Sequence, residues 1–239
     1  GELQLECRPR IKRARGCNLH ENIFEIVNSI VEIADEMAMD KVFLVEKNPS
    51  SFPLAFKNLG KKLVYGIEFI VCENIEDKTT GSIETQHKII IFSTTGSAYN
   101  DGLMKLYSSA ATYGDYNGQP RLDFNTINKN WVEGLIILIP FYDSFLYNNL
   151  LLGYNCNISL SKKPIFCIED HDLPYDKIIK KKVLEFAEQN NCETLQTHKV
   201  LYKRKVDIAS FQTYKCIQNK SNMEKPNLEG FASNSFNIV

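Results

Sequence analysis

Gly134-Leu135-Ile136-Ile137-Leu138-Ile139-Pro140 is the most densely apolar stretch of the chain, and its length limits what it can be. A membrane-crossing helix needs roughly 20 apolar residues in a row. A run this short, bounded by Gly and Pro, suits a buried β-strand. Working outward, similar strand candidates fall at residues 41–45, 62–72, 88–92, 164–168 and 194–201. Helical spacing separates them. Residues 22–39 carry one apolar stripe, at Ile23, Ile26, Val27, Ile30, Ile33, Ala34 and Met37, with Glu and Asp on the opposite face. Residues 52–59, 102–112 and 175–190 read as further helices. Strands alternating with helices at this spacing predict an α/β chain, with a parallel sheet or a barrel and helices outside it.

A chain of 239 residues makes one large domain or two small ones, and 44 % hydrophobic content supplies a real core. The formal net charge of −1 makes no case for wholesale nucleic-acid binding. The seven cysteines, Cys7, Cys17, Cys72, Cys156, Cys167, Cys192 and Cys216, are odd in number and include no Cys-x-x-Cys pair. Free thiols in a reducing cytoplasm are the simpler reading than a disulfide framework or a zinc ribbon. Cys17, Cys72 and Cys192 are core candidates. Residues 1–9 read as a tag scar or flexible lead, without a signal peptide's charged start and apolar core. Residues 74–86 and 114–121 are polar loops. Residues 219–239 form an irregular tail, the start of a link to a further body. Basic runs at residues 8–13, 180–182 and 203–205 read as solvated faces. On a helix, 180–182 span too wide an arc for all three to avoid the buried side, so at least one snorkels.

Several segments resemble, in order and spacing, the PHP (polymerase and histidinol phosphatase) domain that opens the alpha subunit of bacterial DNA polymerase III. Gly102-Leu-Met-Lys-Leu106, Gln119-Pro-Arg-Leu-Asp123 and Glu133-Gly-Leu-Ile136 are similar to the family's Asn-Leu-Met-Lys-Leu, Pro-Arg-Ile-Asp and Glu-Gly-Leu-Ile segments. His87 leading into Ile89-Ile90-Ile91, Gly66-Ile67-Glu68, Thr197-His-Lys-Val-Leu-Tyr202 and Cys216-Ile-Gln218 extend the likeness over roughly the whole chain. The resemblance implies a distorted (β/α)7 barrel spanning residues 10–218, helices outside a mostly parallel barrel. It also implies a metal cluster at the carboxyl ends of the strands that hydrolyses phosphoesters with metal-bound water.

The ligand motifs are degraded. Arg13-Ala14-Arg15 stands where the family carries His-x-His, Val45-Glu46-Lys47-Asn48 where it carries Thr-Asp-His-Gly, and His198-Lys199-Val200-Leu201 where it carries Asn-Asp-x-His. The positions that match family ligands are Arg13, Arg15, Asn22, Glu46, Lys47, Glu68, His87, Phe141, Lys199 and Leu201. Glu46, Glu68 and His87 keep a donor. Arg cannot shed its proton to become a ligand. The expectation is charge replacement, in which Arg13, Arg15, Lys47 and Lys199 pair with Glu46 and Glu68 where metal once sat. His87 reads as a packed, hydrogen-bonded histidine, His20 and His171 as surface residues, and His198 as a non-ligand.

No catalytic residue and no cofactor are therefore expected. The resemblance implies an inactive structural or docking module of DNA replication, in the cytoplasm and without a membrane partner. Its partners would be a polymerase body in the same chain, a proofreading exonuclease subunit, or DNA. Two alternatives stand beside it. One is a metal-dependent phosphoesterase or 3′-5′ exonuclease using Zn or Mn on Glu46, Glu68 and His87. The other is an anion or nucleic-acid backbone module on Arg13, Arg15, Lys47 and Lys199.

Overall fold

The computed structural model describes residues 4–6, 31, 32, 35, 40–201, 205–219 and 235–236. A curled, mostly parallel sheet forms a half-barrel, with helices packed against it. Its strands are β1 (Gln4–Glu6), β2 (Val42–Glu46), β3 (Leu63–Val71), β4 (His87–Ser93), β5 (Arg121–Leu122), β6 (Leu135–Ile139), β7 (Ile165–Ile168), β8 (Thr194–Gln196) and β9 (Lys199–Val200). They run in the order β8-β7-β6-β4-β3-β2-β1-β9, and β5 pairs with β3 beyond the end of β2. The helices are α1 (Phe52–Leu59), α2 (Met104–Thr112), α3 (Phe124–Lys129), α4 (Phe145–Leu151), α5 (Asp176–Gln189) and α6 (Ile208–Asn219). Among the described residues, no helix is long and apolar enough to cross a membrane.

The apolar runs become the core. Ile67, Ile89, Ile91, Ile137, Ile139 and Phe166 are at most 2 % exposed. Helix α5 buries Ile179, Val183 and Ala187 at every fourth position, which is one stripe of a 3.6-residue period. It ends at Gln189 with Asn190 as its cap, and Asn191 follows at φ 50°, a left-handed position that Asn tolerates. Of the lysines on this helix, Lys180 is half-buried while Lys181 and Lys182 are exposed and approach Glu185.

Three features depart from the sequence reading. First, β4 is antiparallel to both of its neighbours. Its first residue, His87, thereby faces Val71 at the end of β3. Second, the single strand expected at residues 194–201 is divided: β8 pairs with β7 and β9 pairs with β1, with only Thr197 and His198 between them. The two ends of the sheet are therefore consecutive in the chain. Third, the stretches between strands hold more structure than their polarity implied. Residues 74–86 contain a 3-10 turn at Thr80–Thr85. Residues 114–121 close on an Asn117-Gly118 turn with both φ values positive, flanked by a Tyr116–Gln119 bridge, the geometry of a two-residue hairpin turn. The expected helix over 22–39 is seen as helix at residues 31, 32 and 35, and the rest of it lies outside the described residues. So do Arg13, Arg15, Asn22, Cys7, Cys17, His20 and most of the tail beyond residue 219.

Arg121 ties these loops together. It is fully buried, yet its guanidinium reaches Gly114 O (3.3 Å), Ser82 Oγ (3.0 Å), Ile75 O (3.4 Å) and Asp77 O (3.0 Å), and lies 4.7 Å from the Tyr116 ring centre. Gly114 fits this closeness, because a Cβ there would fall 1.8 Å from the Arg121 carbonyl oxygen. Arg121→Ala strands those carbonyls and opens a cavity, so chemical denaturation should report a loss of about 3 kcal/mol. A loss below about 1 kcal/mol would mean the loops are held by something else.

Candidate functional site

A cavity of about 320 Å³ opens at the carboxyl ends of the parallel strands, the end at which open and closed α/β sheets place their ligands. Because β4 runs the other way, it contributes its amino end, His87 and Lys88, while Asp143 arrives just beyond β6 and Lys199 and Leu201 come from β9 and its end. Lys88 N donates to Asp143 O at 2.8 Å, which locks the start of β4 to the loop after β6.

The surviving donor positions are each engaged differently. Glu46 ends β2, and its Oε2 accepts from Ser51 Oγ and from Tyr65 Oη, the latter at 2.6 Å. Burial raises its pKa, and these two hydroxyls offset the rise only in part. Burial, and then the neighbouring Glu46 carboxylate, push the Tyr65 phenol up. Glu68 sits inside β3 with a side chain 6 % exposed and finds Lys88 Nζ at 3.6 Å. Lys88 Nζ also reaches Asp143 Oδ2 at 2.5 Å. Among the described residues the cation that answers Glu68 is thus Lys88, while Arg13 and Arg15 lie outside them. Lys47 is exposed, and Lys199 lies half-buried on the cavity wall beside Leu201. Phe141 is fully buried, edge-on to Tyr142 at 5.0 Å between ring centres, so that ligand position has joined the core.

His87 is packed as expected but not hydrogen-bonded as expected. Its ring lies 5.8 Å from both Phe124 and Phe145, and among the described residues neither ring nitrogen has a partner. Burial lowers its pKa to about 4, opposed more weakly by the Thr85 main chain, which approaches the ring without reaching hydrogen-bond geometry. Among the described residues, no three His, Cys, Asp or Glu side chains converge as a metal-binding group. Glu46, Glu68 and His87 therefore do not form one.

A second polar cluster was missed entirely. His171, expected at the surface, is fully buried. Its Nε2 is 2.8 Å from Glu169 Oε2, and its Nδ1 is 3.0 Å from Ser235 Oγ. Thr197 Oγ1 donates to the other Glu169 oxygen at 3.0 Å. Asp176, also buried, accepts from Tyr142 Oη (2.9 Å), His171 N (2.8 Å) and Leu173 N (3.1 Å). Phe236 stacks on His171 at 4.1 Å and His198 lies at 4.8 Å. No sequence signal marked this cluster, because Glu169-Asp170-His171-Asp172 is polar throughout and only the fold buries Glu169, His171 and Leu173 while Asp170 and Asp172 stay exposed. Burial pushes the Cys167 thiol beside this cluster up to about 12, so it is a packed thiol and not a nucleophile. Cys72 and Cys156 are buried and Cys192 only half-buried.

Two predictions follow from this arrangement. Lys88→Met leaves Glu68 buried without its cation and should destabilise the fold by about 3 kcal/mol, with Glu68→Gln added to it recovering most of the loss. Additive losses in a denaturation cycle would show that the pair is not coupled. For His87, the folded pKa of about 4 lies below the ordinary 6.5. The unfolded chain therefore binds the proton first, and stability present above pH 6.5 is lost as pH falls towards 4, by about 3 kcal/mol in all. The stability difference between the wild type and His87→Phe, followed from pH 7.5 to 4, should change by that amount, and a flat difference would contradict it. No protein-family model matches the chain, and comparison with curated proteins finds no match either.

Proposed function

We propose that this chain is a PHP-like domain resembling the amino-terminal part of a polymerase III alpha subunit, with its metal centre rebuilt from internal charges and no catalysis of its own. Its role is structural support of a polymerase body, or docking of that body or of a proofreading exonuclease, in DNA replication. The observation that carries the reading is the Lys88 bridge between Glu68 and Asp143. A protein cation sits where the resemblance expects a metal, and it satisfies a carboxylate that would otherwise be costly to bury. The sheet path supports the fold side of the proposal. Taking β8 and β9 as one strand bent at Thr197 and His198, and leaving β5 aside, the sequence of neighbours matches a distorted seven-membered ring. The engaged state of Glu46 and the burial of Phe141 argue in the same direction.

The reduced phosphoesterase reading requires Glu46, Glu68 and His87 to share a metal. The anion-binding reading draws on Lys199 at the cavity wall. One set of measurements separates them from the proposal. The purified chain is assayed for release from p-nitrophenyl phosphate and from 3′-labelled single-stranded DNA with Mn²⁺ or Zn²⁺, and its bound metal is quantified. The expected result is no release above that of His87→Gln, and metal well below one equivalent. Metal-dependent release that disappears in His87→Gln would overturn the inactive assignment. Co-elution with the polymerase body or exonuclease subunit encoded in the same genome is the expected positive result, and failure of both to bind would remove the docking role.

A further inference from the structure

Positive charge and an exposed aromatic ring gather at the end of the sheet opposite the cavity. The net charge of −1 conceals a local excess, because residues 40–62 hold five lysines against two carboxylates, Asp40 and Glu46. Glu46 is engaged by the Ser51 and Tyr65 hydroxyls. Lys41 stands immediately before β2, and Lys61 and Lys62 immediately before β3, so all three sit at the amino ends of parallel strands. Lys41 Nζ donates to the Lys61 carbonyl at 3.0 Å, which brings these two residues together. Lys62 pairs with Asp35 at 3.3 Å. Lys41, Lys57 and Lys61 are exposed and form no ion pair among the described residues.

Helix α1 joins the two strands and adds the ring. Ala55 and Leu59 are buried, whereas Pro53, Phe56 and Lys57 are exposed. At about 100° per residue those three share one side of the helix. Phe56 is 56 % exposed, yet its ring is braced from behind. It stacks on Phe52 (5.7 Å between ring centres), and Phe52 stacks on Tyr99 (3.8 Å) and meets Tyr65 edge-on (4.9 Å). A lysine near the carboxyl end of a helix complements its dipole, which accounts for Lys57. The dipole does not account for a braced ring left open to water beside it. Single strands are held by this combination, bases stacking on aromatic faces while cations take the phosphates.

We propose that α1 and the two strand starts beside it form a binding surface for single-stranded nucleic acid, with one base continuing the Tyr99–Phe52–Phe56 column and neighbouring phosphates held by Lys41, Lys57 and Lys61. The proposal goes beyond the docking role and stands without it, since the strand starts lie at the far end of the sheet from the cavity.

The test is fluorescence anisotropy of the full chain with labelled oligo-dT and oligo-rU of about 15 nucleotides, and with a duplex of the same length, at 50 mM and 200 mM salt. Single strands should bind with a Kd at or below about 100 μM at the lower salt, and more tightly than the duplex. Three phosphate contacts correspond to a slope of about −2 in log affinity against log salt, roughly a twentyfold loss between the two conditions. Phe56→Leu keeps the apolar contact with Phe52 and removes the aromatic face, so binding should weaken roughly tenfold, while Phe56→Tyr should retain it. Lys57→Gln combined with Lys61→Gln should flatten the salt slope to about −0.7. The substituted side chains are exposed, so each variant should melt within about 3 °C of the wild type, which separates lost recognition from lost fold. Binding of either oligonucleotide supports the proposal, and their ratio identifies the sugar preferred. Absence of binding by both at 50 mM salt overturns it. So does tighter binding to the duplex. Binding that Phe56→Leu leaves unchanged overturns it as well, and marks the lysines as an ordinary solvated face.

Discussion

A carboxylate inside a β-sheet is the constraint from which much of this architecture follows. Glu68 occupies the middle of β3, with that strand's apolar neighbours Ile67 and Phe69 buried on either side of it. A buried charge is tolerated only when paired and hydrogen-bonded. Its partner Lys88 reaches it because β4 is antiparallel, with Ile70 opposite Lys88 and Glu68 opposite Ile90. A parallel β4 would carry its first residues to the other end of the sheet. The direction of one strand and the neutralisation of one carboxylate are thus a single fact. Lys88 also holds Asp143 through both main chain and side chain, so the loop after β6 takes its place from the same pair.

The same logic repeats around the sheet ends with different chemistry. Among the described residues Arg121 forms no ion pair with a carboxylate and spreads its charge over carbonyl oxygens and a tyrosine face. Asp176 opens α5 and gathers two backbone N–H groups and a phenol, the N-terminal position at which a helix favours negative charge. Glu169 is matched by His171 and Thr197. Loops that would carry unsatisfied polar groups if buried are therefore pinned by side chains whose whole donor or acceptor capacity is turned inward. His87 and Gln86 are the exceptions among the described residues, since both imidazole nitrogens and the Gln86 amide nitrogen are buried without a hydrogen-bond partner.

The strand and helix frame was legible because it rests on hydrophobic period, which is local. The apolar runs that became β2, β3, β4, β6 and β7, and the stripe of α5, needed no tertiary information. Two short helices were legible in principle and overlooked. Asp123 accepts from Thr126 N at the start of α3, and Ser144 accepts from Tyr147 N at the start of α4, which are ordinary N-cap signals three residues ahead of their donors. Other features were not local. Nothing in Lys88-Ile-Ile-Ile marks the strand as antiparallel, and nothing near Lys88 names Glu68, twenty residues earlier, as its partner. The division of residues 194–201 depends on which neighbours lie on each side, a property of the whole sheet and not of the segment. Of the positions that the motif comparison singled out, Glu46, Glu68, His87, Phe141, Lys199 and Leu201 lie on strands of the sheet or just beyond their ends. The comparison did not include Lys88, the cation nearest Glu68 among the described residues, because it compared only positions where the family holds ligands.

A mouth built this way differs in kind from a metal centre. A site of clustered ligands repels itself until the ion arrives, so part of its folding free energy is metal binding. Here Glu68 and Asp143 are answered by a lysine that is always present, and Glu46 by two hydroxyls. On the reading proposed above, that exchange frees the domain from metal supply and gives up the one component able to activate water. What remains is a rigid rim, with its charges internally balanced and Tyr142, Tyr147 and Tyr175 on its wall. Such a rim can still recognise shape and hydrogen-bond pattern, which is the property that separates a binding surface from a mere vestige.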